Sequence, residues 1–593
     1  MDLRNQCKEE GGWFGVFDYG VLAVVLIVSS LIGIIFSRRS RGTQETSEDF
    51  FVGGSLGTVP TALSLGAGFI TAIELLGNPA EVYSHGTQFW MICLSFLLVV
   101  PVTSYLFLPV FMKLRLTSSY EYLELRFNRT TRVFAAVMYI AQTVFYTSVA
   151  VYAPALALSN VTGLNTYVAV TVVYVVCVFY ASQGGMKAVI MTDTFQSAVL
   201  LLSIAAVLFT GLALTPGGVQ RVYESNLSSG RFEFFIMNSS LVIRHSFWSV
   251  VVGGTFYWAT MFCSNQATIQ KYLSVDSIRS ARMALWASSF GLVLVFTVNF
   301  CTGLILYDYY KGCDPFLNKE ISDMDELLPY YVINALGNLT GVPGLFVSGI
   351  FAASLGTVAS SVNSLSAVTL KDLVSGPCGF ALPAERGRSL SKWISLFYGL
   401  ASFCLVFVVE RLGGVLQLAL SFNGLTGGVT LGLFSLGVLF PWAESKGALA
   451  GGLSGLLLVG WIGLGAQATM ATTGWEPGDA KPVSVLGCLC NRTLSDEVHA
   501  EPSLWVYKIS YLWYSAIGCL CTFLVGAAVS LAAGPERPYR LNHDLLAPPV
   551  KHLMFALPPG LQSRLWVVQE VKDQDVKEVK SPPANESKVE EKV

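Results

Sequence analysis

Long apolar runs separated by short polar segments dominate this chain. None of the runs alternates apolar and polar residues over about ten positions, as the strands of a membrane barrel do, and only helices and closed barrels satisfy their backbone groups in lipid. The pattern therefore predicts an all-α polytopic membrane protein with about 13 transmembrane helices. The predicted spans lie near 18–37, 52–77, 87–112, 133–155, 165–182, 194–214, 246–268, 283–307, 342–370, 393–409, 415–440, 447–467 and 509–533.

Composition and charge exclude several other classes of protein. Only 13% of the 593 residues are charged, whereas soluble domains carry about 25%. The 12 cysteines are too few for a disulfide scaffold, and the net charge of −2 gives no basic field for nucleic acid. None of the five histidines has a second His or Cys at metal-ligand spacing, and no phosphate loop or nucleophile elbow occurs. We therefore expect neither an enzyme nor a bound cofactor.

The distribution of Lys and Arg predicts the orientation of the chain. All of them can be placed outside the spans, and they concentrate in the loops that are internal if residues 1–17 are extracellular. Residues 18–533 then form the transmembrane domain. Residues 534–593 form a cytoplasmic tail whose polar sequence predicts disorder.

The external segments carry signals of covalent modification. A disulfide between Cys313 and either Cys488 or Cys490 would fit an oxidising compartment, and the sequence leaves this pairing open. Five external Asn-X-Ser/Thr sequons are candidates for glycosylation, namely Asn160, Asn226, Asn238, Asn338 and Asn491.

Two of the predicted spans contain residues that interrupt helices. They stand five spans apart, which indicates an inverted-repeat transporter with its site at the two breaks. Small residues also allow helices to pack closely, so packing is the alternative interpretation. The interrupting residues are Gly66, Gly68 and Gly77-Asn78-Pro79 in the second span, and Gly253-Gly254 and Asn265-Gln266 in the seventh.

Polar residues also lie inside the spans. Glu74 is the only acid deep in a span, where an unpaired charge costs at least about 2.5 kcal/mol. It either faces a cation or a substrate, or it is protonated and hydrogen-bonded to a neighbouring helix. Hydroxyl and carbonyl oxygens of the ninth span suit a hard cation such as Na⁺, but its Ser and Thr side chains equally suit hydrogen bonds between helices. The polar side chains of this span include Ser354, Thr357, Ser360, Ser361, Asn363, Ser364 and Ser366.

Several motifs, in this order along the chain, resemble the sodium:solute symporter family, and most closely its iodide, monocarboxylate and multivitamin carriers. They are SEDFFVGG (47–54), LTSSYEYLELRFN (116–128), VYAPALALSNVTGLN (151–165), GGMKAVIMTDTFQ (184–196), NQATIQKY (265–272), GVPGLFVSGIF (341–351) and SSVNSLSAVTLKDL (360–373). The resemblance implies a LeuT-like fold with five-plus-five inverted repeats, here at about 52–214 and 246–440. It also implies alternating access driven by sodium as the coupling ion.

The resemblance further assigns roles to individual residues. Sodium would be bound between spans 2 and 9, by carbonyl oxygens of Ala67, Ile70 and Ala353 and at the two hydroxyl positions that Gly356 and Thr357 occupy. Asp193 and Gln196 match residues used in cation coupling, although Asp193 could instead make a helix-end contact. The substrate-cavity positions fall on Phe69, Glu74, Trp258 and Asn423.

Two positions depart from the family pattern. Gly356 stands where relatives carry Ser, so one sodium hydroxyl is missing, and water, a nearby hydroxyl or weaker coupling is the expected consequence. Glu74 stands where anion-carrying relatives have uncharged residues. An ionised Glu74 would repel an anion, and the assignment of every Lys and Arg to the loops leaves nothing to offset it.

The sequence thus predicts a sodium-coupled symporter of the plasma membrane that carries a small organic solute, a monocarboxylate or a vitamin resembling biotin or pantothenate. Its expected partners are that solute, sodium and the lipid bilayer, with no nucleic acid and no obligate protein partner. The alternatives are a solute sensor or leak channel on the same scaffold, and a carrier of a neutral or cationic substrate with weakened sodium coupling.

Overall fold

The computed structural model describes residues 14–41, 56–183, 186–375, 384–410, 414–473, 478, 480–488, 504–565 and 567. Within these ranges the chain forms helices and turns and no β-strand. The first half contains α1 (Val16–Arg41), α2 (Thr58–Phe69), α3 (Ala72–His85), α4 (Ile92–Val102), α5 (Leu108–Leu114), α6 (Glu121–Arg126), α7 (Arg129–Thr162), α8 (Thr166–Gln183), α9 (Met186–Leu214) and α10 (Gly218–Ser228).

The second half continues with α11 (Gly254–Ala259), α12 (Gln266–Leu273), α13 (Ile278–Tyr310), α14 (Leu327–Leu336), α15 (Val342–Val368), α16 (Ala384–Val409), α17 (Val415–Leu439), α18 (Ser445–Thr473), α19 (Tyr514–Ala533), α20 (Pro548–Ala556) and α21 (Pro559–Arg564). Single π-helical turns extend several of these helices, at Thr103–Phe107, Trp248–Gly253, Thr260–Ser264 and Thr369–Ser375.

Fewer helices of the described chain than the thirteen predicted spans are, by themselves, long and apolar enough to cross a membrane. Ten helices of the described chain are long and apolar enough to cross a membrane, and the bent pair α2–α3 would make eleven. The two remaining predicted spans fall on α8 and on the interrupted segment Trp248–Ser264. Every predicted span is therefore at least partly helical, and the count of thirteen stays a prediction.

Helix α15 forms the centre of the bundle. In its most apolar stretch 94% of the residues are buried, and the helix packs against α1, α2, α7 and α9. Its sequence is rich in Gly, Ala and Ser, small residues that allow close approach on every side of a membrane helix. The helix that carries the predicted cation-site hydroxyls is thus shielded from lipid.

Residues 480–488 are held beside the C-terminal end of α3 by a disulfide and by hydrogen bonds. A disulfide joins Cys313 to Cys488, with 4.8 Å between their Cα atoms, and this confirms one of the two predicted pairings. The Lys481 N–H donates to the Ser84 carbonyl at 2.7 Å. The fully buried Arg231 donates to the Tyr83 carbonyl at 2.7 Å and stacks 3.7 Å from the centroid of the Tyr307 ring.

The beginning of the C-terminal tail is folded, contrary to the prediction of disorder from residue 534. Lys113 on α5 pairs with Asp544 at 2.6 Å. The Tyr122 hydroxyl donates to the Leu545 carbonyl at 2.9 Å, and the Ala547 N–H donates to the Val438 carbonyl at 3.1 Å. The short apolar motifs of this segment pack on the bundle, which the polar average of the tail concealed. Most residues beyond 565 lie outside the described chain.

The glycosylation candidates differ in accessibility. Asn160, Asn238 and Asn338 are exposed, and Asn491 lies outside the described residues. Asn226 is fully buried, and its amide donates to the carbonyls of Val222 and Leu304 at 2.8 and 2.9 Å. The sequon at Asn226 was therefore a wrong candidate for the folded protein, because a glycan needs a solvent-exposed amide.

Candidate functional site

The first break lies between α2 and α3, which meet at a bend of 56°. Ile70 and Thr71 have extended backbones, and Thr71 begins α3 as its N-cap. The Thr71 hydroxyl accepts from the Ile73 N–H at 3.1 Å, while Glu74 Oε2 accepts from the Thr71 N–H at 2.8 Å. This reciprocal capping box fixes the start of α3. The predicted breaker Gly77-Asn78-Pro79 instead lies inside α3.

The second break lies at Asn265, whose backbone is extended between the π turn Thr260–Ser264 and α12. The Asn265 side chain caps α12 by accepting from the Thr268 N–H at 3.3 Å. Gln266 accepts from the Ser119 N–H at 2.6 Å and donates to the Thr117 carbonyl at 2.9 Å. The NQATIQKY motif is thereby tied to the LTSSYEYLELRFN motif.

A cavity of about 50 Å³ lies between these two breaks, with room for a few water molecules or one small solute. All four residues predicted for the substrate cavity line it, together with Thr357 from the predicted sodium site. The lining consists of Leu65, Gly68, Phe69, Glu74, Tyr139, Gln142, Thr143, Tyr146, Tyr257, Trp258, Met261, Asn265, Ala267, Thr268, Lys271, Thr357, Ser360, Ser361 and Asn423.

One wall of the cavity is aromatic and amide-lined. The rings of Phe69 and Trp258 meet edge-on with centroids 5.9 Å apart, and Tyr257 lies 5.5 Å from Trp258. Asn423 accepts from Gln142 at 3.2 Å and donates to the Tyr257 hydroxyl at 3.4 Å. This chain of hydrogen bonds joins α7, α17 and the segment Trp248–Ser264 around the cavity.

Glu74 also lies in this wall, and its described hydrogen bonds stay within its own chain segment. The Thr71 hydroxyl donates to Glu74 Oε2 at 2.5 Å, beside the bond from the Thr71 N–H. The alternative of a bond to a neighbouring helix is therefore not the arrangement in this structure. The carboxylate sits at the positive N-terminal end of α3, where the helix dipole favours negative charge.

Lys271 is buried in the same cavity wall, contrary to the prediction that every Lys and Arg lies in a loop outside the bundle. Its Nζ pairs with Asp193 Oδ2 at 3.0 Å and donates to the Ser64 carbonyl at 2.7 Å. The Ser64 hydroxyl donates to the same carboxylate oxygen at 2.6 Å. Asp193 thus joins α2, α9 and α12, rather than making only a helix-end contact. Hydropathy missed Lys271 because α12 is polar on average.

The predicted sodium positions lie on α2, at the break after it and on α15, and one of them, Gly356, faces Asp193. The Ala67 carbonyl accepts from the Ile70 N–H at 3.3 Å, and the Ala353 carbonyl accepts from the Thr357 hydroxyl at 3.2 Å. Gly356 faces the side chains of α9. A Cβ placed there would stand 2.7 Å from Asp193 Oδ1 and 2.9 Å from Gln196 Oε1. Both of these buried oxygens lack a hydrogen-bond partner among the described residues.

The hydroxyl groups of α15 divide between the two uses that the sequence left open. Ser364 bonds with Tyr139 on α7 at 2.6 Å, and Ser366 accepts from Ser391 on α16 at 3.0 Å, which is the interhelical use. Ser360 instead lines the cavity, and its buried Oγ has no partner within the described chain.

The sequence reasoning missed one complete wall of the cavity. Tyr139, Gln142, Thr143 and Tyr146 all come from α7. Their spacing of three, one and three residues places them on one helical face. That polar and aromatic stripe in an otherwise apolar span was the available signal.

A layer of polar contacts lies at the other end of α3 from the cavity. Arg244 holds Glu81 with two bonds of 2.6 and 3.0 Å, and His85 lies 3.1 Å from the same carboxylate. Buried Asp325 accepts from the Val415 N–H at the start of α17 at 2.6 Å. The α3 helix also meets α17 closely, since a Cβ at Gly77 would stand 2.5 Å from Leu416 Cβ.

Comparison with known proteins identifies the family of this chain. The family model described as "Sodium:solute symporter family" matches residues 50–455, which is more than half of the chain. The chain belongs to the sodium:solute symporter family. It is therefore a multi-pass membrane protein, and the resemblance seen in its motifs is confirmed.

Named relatives match almost the whole chain. The mouse "Sodium-coupled monocarboxylate transporter 1" is 40% identical over 89% of this chain and 88% of its own length. The human "Sodium-coupled monocarboxylate transporter 2" is 39% identical over 92% and 88%, and the human "Sodium/iodide cotransporter" is 38% identical over 90% and 86%. These relatives fit the branch to which the motifs pointed.

A solved structure also matches the fold. The outward-open, substrate-bound Na⁺-coupled sialic acid symporter superposes with a TM-score of 0.71 at 23% identity, covering 88% of this chain and 99% of the other. This likeness confirms the predicted LeuT-like, all-helical architecture. The roles of individual site residues stay predictions.

Proposed function

We propose that this protein is a sodium-coupled symporter that carries a small monocarboxylate across the plasma membrane. The observation that carries the proposal is a pair of buried oxygens, Asp193 Oδ1 and Gln196 Oε1, that have no hydrogen-bond partner among the described residues and lie beside a cavity at two helix breaks. The relatives named as sodium-coupled monocarboxylate transporters support the choice of substrate class.

Sodium would occupy the space between α2, α9 and α15. A hard cation prefers oxygen ligands, and the break after Phe69 leaves carbonyl groups at the end of α2 without a continuing helix. The carbonyls of Ala67, Ile70 and Ala353 and the hydroxyl of Thr357 would act together with Asp193. In this proposal the Asp193 carboxylate takes the place of the serine hydroxyl that Gly356 lacks.

Lys271 and Thr357 would connect the sodium site with the solute. Lys271 lines the cavity and holds Asp193 at 3.0 Å, while Thr357 lines the cavity and follows Gly356 in the chain. Sodium can drive transport only through its different affinities for the outward-facing and inward-facing states. A cation bound to the Asp193 carboxylate would weaken its ion pair with Lys271. The position of Lys271 in the cavity wall, which the solute contacts, would change as a result.

The external face in this proposal is the side that carries the Cys313–Cys488 disulfide, because disulfides persist in oxidising compartments. This assignment places the N-terminus outside and the tail from residue 534 inside. Exposed Asn238 would then be available for glycosylation, and a mobility shift on enzymatic removal of N-glycans that becomes smaller in Asn238→Gln would test the orientation.

Uptake into expressing cells tests the transport function. Labelled pyruvate, propionate, β-alanine, biotin, iodide and choline would be supplied in sodium medium and in N-methylglucamine medium. We expect saturable, sodium-dependent uptake of at least one monocarboxylate, and a raised half-saturating sodium concentration in Asp193→Asn. Surface-expressed protein that takes up none of these solutes but passes a ligand-evoked current would overturn the proposal in favour of a sensor or leak channel.

A further inference from the structure

The cavity wall contains one acidic and one basic side chain among its described residues, Glu74 and Lys271. The two are not equivalent. The Lys271 charge is already paired with Asp193 at 3.0 Å. Glu74 makes no ion pair with a basic side chain of the described chain, whereas the other buried acid of α3, Glu81, pairs with Arg244. The cavity is thus left with one carboxylate that lacks a countercharge.

Burial disfavours a charge on Glu74, whereas its hydrogen bonds at the start of α3 favour the carboxylate. Its Oε2 accepts two hydrogen bonds from Thr71, at 2.8 and 2.5 Å, at the N-terminus of α3. A buried carboxylate without a cation is costly. Whatever enters the cavity therefore gains by bringing a positive charge.

The surroundings of Glu74 suit an organic ammonium group. Phe69, Tyr146, Tyr257 and Trp258 line the same cavity, and aromatic rings attract cations of this kind in addition to the attraction of the carboxylate. Sodium, by contrast, prefers a shell of oxygen atoms, which the residues around Asp193 supply.

The same cavity offers donors for a carboxylate. The indole N–H of Trp258 is buried without a partner within the described chain, and an indole N–H can only donate. The buried hydroxyl of Ser360 likewise lacks a partner. These two groups would bind the acidic end of the solute, where a carboxylate supplies acceptors.

We infer that the solute is a small zwitterion, a monocarboxylate that also carries a protonated amine, with the amine at Glu74 and the carboxylate at Trp258 and Ser360. The inference rests on the proposed transport function and narrows its substrate class. The cavity between the two helix breaks has a volume of about 50 Å³, so small solutes are the ones to test first. Glycine and β-alanine have this chemistry, and acetate and propionate are their partners without the amine.

The test compares β-alanine with propionate, which share a carbon skeleton and differ by the amine. We expect sodium-dependent uptake of β-alanine with kcat/KM about 10- to 100-fold above that of propionate. Glu74→Gln should remove most of this preference, because truncating one partner of a buried charge pair typically weakens binding about 30-fold or more. Glu81→Gln is the matched control on the same helix, and it should leave the ratio between the two solutes unchanged.

Binding to the unmodified protein keeps the inference testable if Glu74→Gln does not reach the surface. β-Alanine should raise the melting temperature of the purified protein in sodium, and propionate at equal concentration should raise it less. Propionate transported or bound as well as β-alanine would overturn the zwitterion while leaving symport intact. A Glu74→Gln variant that changes only the sodium requirement would also overturn it, because Glu74 would then serve sodium. Absence of sodium-dependent uptake of every solute would instead refute the transport function.

Discussion

Adding one methyl group at Gly356 should weaken sodium coupling. The Cβ of Gly356→Ala would stand 2.7 Å from Asp193 Oδ1 and 2.9 Å from Gln196 Oε1, both shorter than an ordinary contact between such atoms. Overpacking of this kind costs about 1–3 kcal/mol, and the better helix propensity of Ala returns up to about 1 kcal/mol. The remaining strain, about 1–2 kcal/mol, falls on the carboxylate proposed to bind sodium.

This strain should raise the half-saturating sodium concentration about 5- to 30-fold, measured as initial solute uptake against external sodium at a fixed solute concentration. Gly66→Ala is the matched control, because a Cβ at this position in α2 would meet no atom within 4 Å. A Gly356→Ala protein that is expressed at the surface with an unchanged sodium requirement would refute the placement of sodium beside Asp193. We expect the same crowding to oppose a gain in sodium affinity in Gly356→Ser, although this change would supply the hydroxyl that relatives carry at this position.

Three further changes probe other contacts. Burial raises the pKa of Asp325 to about 7, with the neighbouring carboxylates Asp323, Glu81 and Glu326 acting in the same direction, so a buried negative charge develops there as pH rises through 7. Uptake should change between external pH 6 and 8, and Asp325→Asn should flatten that profile. Lys271→Met leaves Asp193 as an uncompensated buried charge and should lose about 3–5 kcal/mol of stability, seen as a lower melting temperature in detergent that Lys271→Arg partly restores; equal melting temperatures would contradict the pairing. Cys313→Ser should cost about 2–5 kcal/mol and lower surface expression, and a variant as stable as the parent would show that the bridge contributes little.

The helical architecture could be predicted from the sequence because lipid leaves the backbone few alternatives. Every apolar run predicted as a span is at least partly helical in the described chain. This includes α15, whose small residues are uncharged and therefore kept its hydropathy high. The position of the first break was predicted less well. Gly77-Asn78-Pro79 looks like a helix breaker, yet Pro79 lies in the middle of α3 and Gly77 allows the close approach to Leu416.

The residues of the candidate site were predicted only in part, because some of its contacts join residues that are far apart along the chain. Phe69, Glu74, Trp258 and Asn423 line one cavity as the family pattern implied. Lys271 was assigned to a loop because hydropathy averages over a window, whereas its buried ammonium group is bound by the Ser64 carbonyl and by Asp193, 78 residues earlier. No local pattern contains such a pairing.

The capping box at the start of α3 couples the backbone of that helix to the binding of a solute in the cavity. Glu74 Oε2 occupies the N–H of Thr71, so a cation drawing on this carboxylate loosens or tightens the first turn of α3. The exchange of the Thr71 and Ile73 amide protons with deuterium would then change with solute, even where the side chains of the cavity barely move. Binding of a solute would then be measurable as a change in the deuterium exchange of these two backbone amide hydrogens.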